Sequence, residues 1–203
     1  IDHALLHVIE GRLHLARADR ARDGTGETDS ALLAEAVTAF NDGLRLDREC
    51  GVAWLGLART KRLLGDLQGA QEDIARALRL LPDEDTSSAS EAALLALDMN
   101  DISAATKYIE AAAIHGDSAT ISYVRGNIAA RNGILDRALM QFDEALSIDP
   151  AHIRARLNRC SILMAMGEGR KVLDDAEILL DLAPSLILAR LRRAEGFLSL
   201  IHI

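Results

Sequence analysis

His3, His7, Glu10 and His14 recur at spacings of four, three and four residues, so on a helix they share one face, and imidazoles four apart can ligate one metal ion. No fourth strong ligand stands nearby, and the expectation is polar or seam histidines with no metal and no cofactor. Other patterns fail sooner. Gly24-Thr25-Gly26 is too short for a phosphate loop, and no G-x-S-x-G nucleophile turn is present. Asp174 and Asp175 with Asp181, or Asp83 with Asp85, read as solvated helix ends and turns rather than acid/base pairs. The acidic stretch DGTGETD (Asp23 to Asp29) lacks the alternating ligands and distal Glu of a calcium loop. Cys50 and Cys160, with no Cys/His cluster around them, read as two reduced packing cysteines. The residues therefore point to no catalytic step, and the chain is expected not to be an enzyme.

The elements that position these residues follow from composition. In 203 residues there are 34 Ala and 33 Leu against six aromatics and three Pro, which favours helices over sandwiches and barrels. The net charge of −8 argues against general nucleic-acid binding, which needs a basic surplus. No uncharged run approaches the roughly 20 residues of a membrane span, and no export signal opens the chain. It begins at Ile1 rather than Met, which suggests a fragment and leaves its compartment, cytoplasm or periplasm, unknown.

Self-similarity decides the architecture. Gly51–Glu84 and Ala119–His152 align without a gap as units of 34 residues, with segments of equal length between and after them. Pro82, Pro150 and Pro184 fall in one register. Within units, apolar residues such as Leu135, Leu139, Phe142 and Leu146 follow helical spacing, and Gly65, Gly133 and Gly167 break each unit into two helices. The second unit instead signals a helix start by Ser88 three residues before Glu91, a capping-box pattern. The units are thus 51–84, 85–118, 119–152 and 153–186. Residues 1–50 form an atypical first pair, Asp2 to Arg22 and Ala31 to Leu46, with an extended turn at 23–29. Residues 187–203 form an unpaired helix of a truncated repeat.

These units resemble the tetratricopeptide repeat family, whose pattern is W-x2-L-G-x2-Y, then A-x3-F-x2-A, then Pro. The slots hold Trp54, Leu57, Ala58, Lys61, Ala70, Ile74, Ala77 and Pro82 in 51–84, and Gly126, Ala138, Phe142, Ala145 and Pro150 in 119–152. The fourth unit departs most, with Arg156 in the tryptophan slot and Cys160 in the glycine slot. The resemblance implies an all-α, right-handed solenoid of antiparallel helix pairs whose first helices line a concave face that binds peptides. Carried over, that face comprises Val52, Leu55, Arg59, Arg62 and Leu63, then Thr86, Ala89, Ala93, Ala96 and Leu97. It continues through Thr120, Tyr123, Asn127, Ala130 and Arg131 to Arg154, Leu157, Ser161, Met164 and Ala165.

All four charged residues among these are arginines, which suits an acidic segment or terminal carboxylate held by guanidinium forks, with Tyr123 as an apolar platform. The candidate groove residues are Arg59, Arg62, Tyr123, Asn127, Arg131, Arg154, Leu157 and Asn158. Asn127, Asn158 and Arg192 also match three of five slots of the carboxylate clamp in chaperone-binding members. Tyr123 and Leu188 replace its lysines, so that clamp is not expected. The functional expectation is a non-catalytic scaffold binding a protein or peptide. The run from Arg154 to Gly196 resembles tandem-repeat lipoproteins of bacterial exopolysaccharide and exosortase systems. The alternative is the repeat portion of a larger enzyme, of glycosyltransferase or sulfotransferase type, or of a regulator with a DNA-binding head.

Overall fold

A computed structural model describes residues 2–82 and 84–201, so Asp83 of the Asp83/Asp85 reading lies outside the described residues. Among them are eleven α-helices and no strand: α1 (His3–Thr25), α2 (Ser30–Leu46), α3 (Gly51–Leu64), α4 (Leu67–Leu80), α5 (Thr86–Asp98), α6 (Ile102–Ala113), α7 (Ala119–Arg131), α8 (Leu135–Ile148), α9 (Ile153–Ala165), α10 (Gly169–Leu182) and α11 (Ile187–Ile201). They group into two compact units, Ile1–Arg22 with Thr28–His115, and Asp23–Glu27 with Gly116–Ile203.

In the first unit α2 to α6 pack each against the next in sequence, the nearest-neighbour pattern of a repeat stack. Two centres of its core are evident among the described residues. Val8, Leu15, Leu33, Ala36, Phe40 and Leu57 form one, and Ala58, Ala70, Ile74, Ala77, Ala92 and Leu95 the other. Phe40 is fully buried because Gly11 and Gly56 leave it room. A Cβ at Gly11 would lie 2.8 Å from its ring, so the two helices close on the aromatic only where a side chain is missing. In the second unit Phe142 fills the matching place against Gly126, where a Cβ would come within 2.5 Å of the ring. Phe142 joins Ala129, Ala138, Ala145 and Ala155 in one centre, while Cys160, Leu163, Val172, Leu179 and Leu186 form the next.

Turn chemistry ends the helices. Gly65 takes φ +85° and its N–H returns to the carbonyls of Arg62 and Lys61, closing α3. Asn100 supplies the corresponding left-handed residue after α5, at φ 61°. Asp29, Asp66, Asp85, Asp101, Ser118 and His152 each accept a backbone N–H at the start of the following helix.

Three local expectations are corrected. The Asp23–Asp29 turn is shorter than its sequence suggested. Nothing between Arg20 and Thr25 forbids helix, so α1 runs 23 residues, about 35 Å, and stops only where Gly26 reaches φ +85°. The capping box at Ser88 and Glu91 does not form: Asp85 is the cap, α5 begins at Thr86, and Glu91 is drawn to Arg62 instead. Finally, Asp175 is no solvated helix end but is 1% exposed, because two arginines reach it from α9.

Candidate peptide-binding surface

The helical period puts Tyr123, Asn127 and Arg131 of α7 on one stripe, and Arg154, Leu157, Asn158 and Ser161 of α9 on another. Arg131 is exposed at the end of α7, and the others are half-buried. Hydrogen bonds between successive first helices fix the stripes. Asn158 Nδ2 donates to Asn127 Oδ1 at 2.6 Å, and Arg192 of α11 donates to Ser161 Oγ at 2.8 Å. Ser161 and Arg192 stand one 34-residue step beyond Asn127 and Asn158, so the same pair of slots is bridged twice with different chemistry. Tyr123 stacks obliquely on His152, ring centroids 5.0 Å apart. Burial lowers the pKa of that histidine, and neighbouring Arg154 adds to the effect, so it caps α9 with a neutral Nδ1 accepting from the Ala155 N–H.

Arg154 already holds a carboxylate. Its Nε donates to Asp23 Oδ1 at 3.1 Å, both side chains remaining partly open to solvent. The carboxylate that this guanidinium holds is the chain's own.

The stripe expected in the first unit is differently disposed. Arg59 donates to Asp19 of α1 at 2.6 Å. Arg62 is nearly buried between Glu91 (2.5 Å) and Asp98 (2.9 Å). Burial alone would lower its pKa, but the two carboxylates more than offset this and hold its charge more firmly than usual. Ala93, Ala96 and Leu97 are buried too, so these three positions of α5 offer a ligand no surface. Of the eight candidates, Tyr123, Asn127, Arg131, Arg154, Leu157 and Asn158 lie in the second unit on two adjacent helices; Arg59 and Arg62 lie in the first, each in an internal ion pair.

The remaining polar candidates are engaged structurally. His7 lies 3.5 Å from Glu10, and His14, on the seam, lies 2.9 Å from Glu35 of α2. Among the described residues no three His, Cys, Asp or Glu side chains are grouped to hold a metal ion. Both cysteines are unpaired thiols, and burial, with Asp175 beside it, pushes Cys160 up to about 12, which makes it a poor nucleophile. No helix among the described residues is long and apolar enough to cross a membrane.

Sequence reasoning missed the buried ionic slots. Arg159 donates to both carboxylate oxygens of Asp175 (2.8 and 2.5 Å) and to Asp143, while Arg156 donates to Asp175 at 2.9 Å and to the Pro150 carbonyl. The hydrogen bonds Arg159 donates to Asp175 outweigh burial and raise its pKa. Asp73 occupies the same repeat slot as Asp175, and Gln141 stands between them at the same register; all three are buried. A polar residue returning at one phase of an apolar helix was the available signal.

The tetratricopeptide repeat family model matches residues 90–153. No curated protein matches the chain at the sequence level. Among solved structures, a thermophilic TPR protein of Thermus thermophilus, TTC0263, is 21% identical with a TM-score of 0.76, covering 95% of this chain and 99% of that one. PilW, described as a widely conserved type IV pilus biogenesis factor, is 17% identical with a TM-score of 0.68, covering 97% and 91%. YrrB, described as a TPR protein with an unusual peptide-binding site, is 22% identical with a TM-score of 0.52, covering 77% and 81%. With 34-residue helix pairs, aromatic-on-glycine packing and these shared folds, the chain has the all-α helix-pair fold of the tetratricopeptide-repeat structures, and residues 90–153 match the repeat family itself.

Proposed function

We propose that this protein is a non-catalytic scaffold that binds a protein or peptide, and that the contact surface is the face of α7 and α9 carrying Tyr123, Asn127, Arg131, Arg154, Leu157 and Asn158. The observation that carries the reading is the Arg154–Asp23 pair: the guanidinium is placed to grip a carboxylate on a half-open surface, beside an aromatic ring and an apolar Leu157. An acidic segment is therefore the favoured partner. The Asn127–Asn158 bridge holds the two helices in register beneath it. Arg62 contributes less, since it is nearly buried between Glu91 and Asp98, and Arg59 lies in the other unit, paired with the largely buried Asp19.

Fluorescence anisotropy of a labelled acidic peptide at low salt tests the proposal. Arg131→Glu with Arg154→Glu is expected to abolish binding, and unchanged affinity would sink it. The finer assignment, an assembly role in a bacterial envelope or exopolysaccharide system, is supported only by the resemblance of Arg154 to Gly196 to tandem-repeat lipoproteins. Affinity capture from a bacterial envelope extract, repeated with the double variant, tests it; recovery of the same proteins by both chains would remove it.

A further inference from the structure

The second unit includes a short piece from far earlier in the sequence, Asp23–Glu27, with the composition Asp-Gly-Thr-Gly-Glu. It is anchored at both ends of its contact. Asp23 accepts from Arg154, and Gly26 lies beside Leu186 and Leu188, where a Cβ would make an ordinary van der Waals contact, 3.4 Å from a Leu186 methyl. The Thr25 hydroxyl accepts the Glu27 N–H and shapes the turn between the anchors. The aromatic pair Tyr123 and His152 adjoins Arg154, so this segment rests on the surface assigned above to a partner.

We infer that residues 23–27 are an internal occupant of the acidic-segment site, and that an external acidic partner binds Arg154 by displacing Asp23. This rests on the proposed function and adds its regulation. The hold is weak because water reaches both charges. Asp23 and Arg154 are each about a quarter to a third exposed, and such pairs shift an equilibrium by only about two- to fivefold. Occupancy of that order lowers apparent affinity by the same factor, and removing it restores the intrinsic value.

The test uses the full chain and labelled hexaglutamate at low salt. Asp23→Asn is expected to bind about two- to fivefold more tightly than the parent chain. Glu177→Gln, which removes one exposed acid from α10, controls for net charge and is expected to change nothing. Saturating hexaglutamate should also speed amide exchange across residues 23–29. Equal binding by the parent and Asp23→Asn chains, an equal gain from Glu177→Gln, or unchanged exchange would overturn the internal occupant while leaving the binding surface intact. Failure of both chains to bind hexaglutamate would overturn the proposed function, and the inference with it.

Discussion

The α3–α4 and α9–α10 pairs stand three repeats apart and bury an aspartate at the same slot, Asp73 in one and Asp175 in the other, each 1% exposed. Their partners differ. Asp73 meets one lysine from the facing helix, Lys61 Nζ at 2.6 Å, and Arg76 from its own helix at 3.2 Å. The first helix keeps Trp54, whose ring lies under the Arg76 guanidinium at 4.5 Å and whose indole N–H donates to the Arg48 carbonyl. In α9 the tryptophan and leucine slots have become Arg156 and Arg159, and both guanidiniums turn onto Asp175. The repeat that departs most from the family pattern has therefore exchanged an apolar contact for a buried ionic one. A slot can change its chemistry if both sides of the interface change together.

The energetics of the two sites should differ accordingly. Burial raises the Asp73 pKa, with Lys61 and Arg76 only partly opposing it, so this carboxylate is a net strain at neutral pH. Asp175 carries two guanidiniums, one of them almost fully buried, that would lose their counter-charge without it.

The sharpest break is Asp175→Asn, expected to cost about 3–5 kcal/mol by stranding Arg156 and Arg159, measured by chemical denaturation. A loss under about 1 kcal/mol would mean that the arginines re-solvate and the network is superficial. Next, the triple variant Arg156→Trp, Arg159→Leu, Asp175→Leu should recover most of that loss, ending within about 2 kcal/mol of the parent, because an apolar replacement removes charge and partner together. Failure to recover would show that the ionic slot also sets the packing of α9 on α10.

Asp73→Asn should change stability at pH 7 by no more than about 1 kcal/mol, since Lys61 retains access to water. The sign with pH is specific. A carboxyl with a raised folded pKa favours its protonated form, so its contribution is greatest in acid and declines as pH rises from the ordinary value of 3.8 through the raised one. Denaturation between pH 4 and 7 should show a flatter slope for Asp73→Asn than for the parent. A similarly small effect, about 0.5–1 kcal/mol, is expected of Arg76→Ala, from the lost stacking on Trp54 and the lost pairing of its exposed side chain with Asp73. An effect as large as that of Asp175→Asn would make the two slots equivalent after all.

The same contrast marks how far the sequence could be read. The repeat length, the paired helices and the aromatic slots of Phe40 and Phe142 were legible, because burial of one face imposes a period that side chains cannot hide. Turn glycines 65, 133 and 167 were legible for a similar reason, since their positive φ excludes most other residues. The candidate surface was half legible: Tyr123, Asn127, Arg154 and Asn158 do fall on adjacent stripes of α7 and α9. Which charges are already matched was not, since Arg62 meets Glu91 and Arg154 meets Asp23 across 29 and 131 residues.

By itself, then, the sequence determined a stack of helix pairs and the phase of each, because periodicity and turn stereochemistry act within a few residues. Only the tertiary structure decided that α1 continues to Thr25, that Asp73 and Asp175 are buried, and that Asp23 sits on Arg154. Electrostatic pairing depends on separations of a few ångströms between residues far apart in the chain, and no local pattern encodes those separations.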